Sequence, residues 1–221
     1  MRDIGLGEAI RAAGGGNAPA SSIDVSHPSL VAVDEIDAAR AEEYALLATL
    51  LARAPDQALL DRLATLRGDA SPLGVAHAAL SDAASRTNAD LVEREFFNLF
   101  IGLGRGELLP YGSYYLTGFL HERPLARLRD SLARLGIERA PGQSEPEDHA
   151  AILCEVMAGL ISGRFPALKN ADRECFEKHV SPWVGRFFAD LEQAAAADFY
   201  RRIGTVGRVF LEIETEAFAL P

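Results

Sequence analysis

The chain has 221 residues, room for one large core or two small ones, and no apolar run long enough to span a bilayer, which excludes an integral membrane protein built on helices. Its composition, 48% hydrophobic and 24% charged, is that of a soluble domain; a net charge of −10 sets it against phosphate backbones, so DNA is not an expected partner, and suits a basic one. Two cysteines, Cys154 and Cys175, cannot make a disulfide-rich secreted scaffold, and residues 1–13 lack a secretory h-region, so a cytoplasmic location is expected.

Residues 1–33 are rich in Gly, Ala, Ser and Pro and read as a flexible extension. From Asp34 to Pro221 the pattern is helical. Ile36, Ala39, Leu47, Leu50 and Ala54 share one stripe. Asp56 caps a second helix, Ser71-Pro72 opens a third, and Asn88 caps a fourth with Val92, Phe96, Leu99 and Phe100 on one face. Gly102 to Gly118 resists a helical reading. Pro124 opens a fifth helix that Gly136 stops. After the polar stretch 137–144, Ser144 and Glu147 form a capping-box pattern before Ile152, Leu153, Val156, Met157 and Leu160. A shorter helix is expected over Asn170–His179. Ser181-Pro182 again reads as cap plus first-turn proline, and a last helix runs from about Asp198 to Ala217. The fold class is therefore all-α, with about nine to ten helices in two parts joined by a hinge loop at Gly136–Ser144.

Catalytic spacing is missing. There is no CxxC, HExxH or phosphate-binding loop, and none of the five histidines has Glu three residues before it. Gly102–Gly106 is glycine-rich but follows a helix rather than a strand, the wrong setting for a dinucleotide. No metal or other cofactor is expected, and the chain reads as a binding module rather than an enzyme.

Core packing fails to account for two segments. In the first, the helix carrying Phe96, Phe97 and Phe100 runs into an elbow with Tyr111, Ser113, Tyr114 and Tyr115. Those phenols and the hydroxyl either satisfy an irregular backbone or line a peptide-binding surface. In the second, Ser144-Glu145-Pro146-Glu147-Asp148-His149 crowds carboxylates at a helix start. Capping accounts for Glu147 and partly for Glu145. It does not account for His149, whose charge a positive helix end disfavours. The alternative is an acidic site for a cationic peptide. The two segments are expected to lie together as one recognition surface, with Asp148 facing a guanidinium.

In this order the segments resemble the TorD/DmsD family of redox-enzyme maturation chaperones. An aromatic helix, Phe96 to Phe100, leads through Gly102–Gly106 to Pro110-Tyr111-Gly112-Ser113-Tyr114-Tyr115; then come Glu145, Pro146, Asp148 and His149, followed by His179, Pro182 and Trp183. The resemblance implies an all-helical cytoplasmic chaperone. Its partner would be the catalytic subunit of a molybdenum-cofactor enzyme, of formate dehydrogenase or sulfoxide/N-oxide reductase type, bound through a twin-arginine leader. The leader would meet Tyr111, Ser113, Tyr114, Tyr115, Glu145, Pro146, Asp148 and His149. A monomer or a domain-swapped dimer is compatible with the hinge loop. Gly5–Gly15 and Ile23–Leu30 also resemble pieces of a Cro-like helix-turn-helix, broken by Pro19. The competing function is a transcription regulator with a DNA-binding arm and a helical sensor domain.

Overall fold

Short-range capping sets most of the early boundaries. In the computed structural model, which describes residues 9–13, 34–165 and 168–219, Asp34 accepts from the Asp37 N–H at 2.8 Å and opens α1 (Glu35–Ala52). Asp56 does the same for α2 (Gln57–Leu63) through Leu59 N, Ser71 for α3 (Pro72–Ser85) through Gly74 N, and Asn88 for α4 (Ala89–Phe96) through Leu91 N. Each is a side-chain oxygen taking one of the orphan donors of a helix start. After α4 come α5 (Gly112–Thr117), α6 (Arg123–Arg134), α7 (Ala150–Ile161), α8 (Ala171–Cys175), α9 (Val184–Gln193) and α10 (Phe199–Ala219). The expected all-α class is what the structure shows. None of the described helices is long and apolar enough to cross a membrane.

α7 is the centre of the molecule. Every one of its residues except Ala158 is buried, so its side chains are apolar nearly all round rather than along one stripe. α1 packs against α7, while α3 and α9 pack against α10. Tyr44 of α1 meets Phe210 of α10 edge-on at 4.7 Å, and the Tyr200 hydroxyl donates to Leu50 O at 3.0 Å. Helices from before and after the 136–144 loop thus interleave in a single core. α10 starts without a cap of its own. Instead, the Glu95 carboxylate on α4 accepts from the N–H groups of Asp198, Phe199 and Tyr200 at 2.7–3.1 Å.

Several boundaries depart from expectation. Residues 9–13, placed in the flexible extension by composition, dock on the domain. Ile10–Ala12 (β1) pairs antiparallel with Ile137–Arg139 (β2) inside the polar stretch, Ile10 is fully buried, and Ala9 N donates to the Glu155 carboxylate. The helix-turn-helix likeness therefore loses its first helix at these residues, and its second piece, Ile23–Leu30, lies outside the described residues, as does the rest of 14–33. The segment expected as a helix over Asn170–His179 splits into α8 and a π-helical turn, Phe176–Val180. Ser181 and Pro182 lie in the turn after it, and α9 begins only at Val184. A second π-helical turn, Phe97–Ile101, ends α4.

A polar junction with an adjoining groove

The elbow is assembled against the segment before α7. Leu108 N donates to Leu99 O and turns the chain back along the π-helical turn. Pro110 O accepts from Ala150 N at 2.8 Å, Tyr111 and His149 form an antiparallel bridge, and Gly112 N donates to Asp148 O at 2.9 Å. A short helix, α5, comes next, inside the stretch whose pattern is not helical. It has no cap from its own chain neighbourhood. The Asp148 carboxylate provides it, with Oδ2 accepting from Ser113 N at 2.7 Å.

This explains why the capping box at Ser144 and Glu147 is not formed. α7 starts at Ala150, and its N-cap is His149, whose Nδ1 accepts from Ala151 N at 3.1 Å. The carboxylates go elsewhere: Glu147 pairs with Arg129 of α6 at 2.8 Å, and Glu145 accepts from the Tyr111 hydroxyl at 2.6 Å. His149 N folds back on Pro146 O instead of opening a helix. An accepting Nδ1 fixes the neutral Nε2–H tautomer. Burial pushes the His149 pKa down to about 4, against the pull of Glu145 and Asp148. Tyr111 meets the imidazole edge-on at 5.1 Å, and its own phenol is pushed up by burial and by Glu145.

Tyr111, Ser113, Glu145, Pro146, Asp148 and His149 thus come together at one junction. Tyr114 and Tyr115 do not join it. The Tyr114 hydroxyl accepts from Arg105 at 3.0 Å. Tyr115 packs on Trp183 at 5.4 Å and donates to Asp190 of α9 at 3.0 Å. Burial, with Asp190 beside it, raises the Tyr115 pKa.

Asp148 is 3% exposed, and its second oxygen, Oδ1, is buried without a hydrogen-bond partner among the described residues; the same holds for Ser113 Oγ. Asp148 lines a cavity of about 400 Å³, in the range of ligand sites. Gly112, Leu116, Leu128, Leu153 and Trp183 supply apolar lining; Arg127, Asp130, Ser131 and Arg134 of α6, with Lys178 and His179, supply the polar part. His179 Nε2 lies 2.9 Å from Ser131 Oγ, and the Trp183 indole donates to His179 O. Burial, then Lys178 and Arg134, lower the His179 pKa. Beyond this contact lies a second hollow of about 240 Å³, formed by Leu128, Leu132, Leu135, Leu168, Ala171 and Cys175. Sequence reasoning missed the α6 wall. Its sign was a polar row, Arg127, Ser131 and Arg134, at helical spacing beside the apolar row Leu128, Leu132 and Leu135. Among the described residues no cluster of three or more His, Cys, Asp or Glu could hold a metal ion.

Residues 66–189, more than half of the chain, match the family described as nitrate reductase delta subunit. A chaperone protein TorD from Vibrio cholerae serotype O1 is 26% identical over 144 residues, covering 61% of this chain and 66% of that protein, so the chain spans just under two thirds of that relative's length. A chaperone protein TorD from Vibrio atlanticus is 25% identical over 203 residues, covering 81% and 94%. A solved redox enzyme maturation protein from Archaeoglobus fulgidus shares the fold, with a TM-score of 0.53 at 20% identity over 78% of this chain and 93% of that one. The chain belongs to the nitrate reductase delta subunit family, the TorD/DmsD family of redox-enzyme maturation chaperones.

Proposed function

We propose that this chain is a cytoplasmic, non-enzymatic chaperone that binds the twin-arginine signal peptide of a molybdenum-cofactor oxidoreductase and assists its maturation before export or assembly. The client would be of formate dehydrogenase or sulfoxide/N-oxide reductase type. The observation that carries this reading is Asp148 Oδ1, a buried acceptor with no donor among the described residues, in the wall of a ligand-sized cavity. A buried carboxylate oxygen left unpaired is costly, and a guanidinium is the donor that offsets the cost best. Asp148 would accept one arginine of the pair, and the exposed Glu145 carboxylate the other. Tyr111, Ser113, Pro146 and His149 form the surface around those acceptors, while Tyr114 and Tyr115 act as positioning residues that fix α5 to Arg105 and α9.

Calorimetric titration with a synthetic leader peptide tests this. Replacing both arginines by Gln is expected to weaken binding at least tenfold and to flatten its salt dependence. Asp148→Asn keeps an oxygen for Ser113 N but loses the charge, so it is expected to weaken binding by about 1.5–3 kcal/mol with little change in melting temperature. Equal affinity of the Arg and Gln peptides, or a large loss of stability in Asp148→Asn with unchanged affinity, rejects the proposal.

A further inference from the structure

We infer that the peptide lies lengthwise along α6, with one cationic side chain on Asp148 and its downstream apolar residues seated in the hollow under Leu168. This rests on the peptide-binding reading above and adds a site, a direction and a specificity determinant to it. The Asp148 cavity and the second hollow are two ends of one groove, because Leu128, Ser131, Arg134 and His179 line both. The ends differ in chemistry. One holds the orphaned carboxylate oxygen. The other is walled mainly by Leu132, Leu135, Ala171 and Cys175, with Arg134 and Glu174 also in its lining, and Leu168, which borders it, is 86% exposed. A leucine so open beside a concave apolar surface is the arrangement an apolar segment of a partner covers. The other exposed apolar residues near the cavity, Leu116, Phe119 and Leu120, lie on and just after the end of α5. The concavity that Leu116 also borders is lined with charge, by Arg105, Glu107, Arg186 and Asp190. The Asp148 and Asp130 carboxylates thus anchor one end of the peptide among the cations Arg127, Arg134 and Lys178, and the largely apolar hollow selects the residues next to that anchor.

Arg127 makes the assignment sharper. It lines the Asp148 end, and no ion pair or hydrogen bond holds its guanidinium among the described residues, whereas Arg129 on the same helix is held by Glu147. Beside a bound guanidinium Arg127 is repulsive, and it limits the cavity to a single arginine. Beside an anion it would be attractive. Removing it therefore has opposite signs for the two kinds of ligand.

The experiment uses the full chain and leader peptides carrying a benzoylphenylalanine in the apolar stretch, with cross-links mapped by mass spectrometry and affinities by calorimetry. Cross-links are expected within 132–135 and 168–175. Leu168→Glu, at an exposed position, is expected to weaken binding about tenfold, the loss of one buried leucine contact. Arg127→Gln is expected to tighten it several-fold, most at low salt. If binding depends on the arginines but cross-links fall at 116–120 and Leu168→Glu is silent, the placement along α6 is overturned while the peptide-binding reading stands. If Arg127→Gln weakens leader binding, Arg127 supports the bound peptide instead of repelling a guanidinium beside it, and this inference fails. If no leader peptide binds, both fail.

Discussion

Acid should weaken this fold through His149. In the native state the imidazole is buried, neutral, and holds the start of α7 by accepting from Ala151 N. Its folded pKa is down to about 4, with burial as the first cause, and Glu145 and Asp148 facing it pull the other way without reversing the shift. Between the unfolded value of about 6.5 and the folded one, the unfolded chain binds the extra proton. Stability from this group is therefore complete above about pH 6.5 and lost as pH falls toward 4. Integrating the proton difference from pH 7 to pH 5 gives a loss of about 2 kcal/mol. His149→Asn removes the titration and leaves an N-cap of the preferred kind. Urea unfolding of both proteins at the two pH values isolates this contribution. The wild type is expected to lose about 2 kcal/mol more than His149→Asn on going to the lower pH. Parallel losses in the two proteins would refute the reasoning, because acid would then act through other groups.

Glu95→Ala removes the acceptor for three N–H groups at the start of α10 and is expected to cost at least about 2 kcal/mol in urea unfolding at neutral pH, since no side chain of α10 replaces it. A loss under about 0.5 kcal/mol would show that water satisfies those donors equally well. Gly112→Ala would place a Cβ 3.0 Å from the Trp183 indole nitrogen and 3.2 Å from the adjacent ring carbon, so the expected cost is about 1–3 kcal/mol, read as a lowered melting temperature together with weaker leader binding. An unchanged melting temperature would mean that Trp183 yields freely.

The local part of the structure is legible in the residues themselves. Asp56, Ser71 and Asn88 cap the helices they precede because each side-chain oxygen reaches a donor three residues on, Ser71 doing so while its hydroxyl also donates to Asp69. The apolar stripes beyond those caps, the stop at Gly136 and the all-α class are readable for the same reason. So is the suspicion that Tyr111 and Asp148 belong together, since both segments carry polarity that packing alone does not require. The remainder depends on contacts between distant segments. Ser144 and Glu147 look like a capping box, yet Arg129 takes Glu147, Ser113 N takes Asp148, and the helix waits until His149. α5 is too short to persist without that remote cap. The strand at Ile10 exists because β2 and Glu155 supply partners that no neighbouring residue offers. The groove belongs to no single element: it is the space left where α6 meets α7 and the π-helical turn at Phe176–Val180. A cavity of that kind depends on how helices cross, and the periodicity of one helix carries no record of the angle at which another will lie against it.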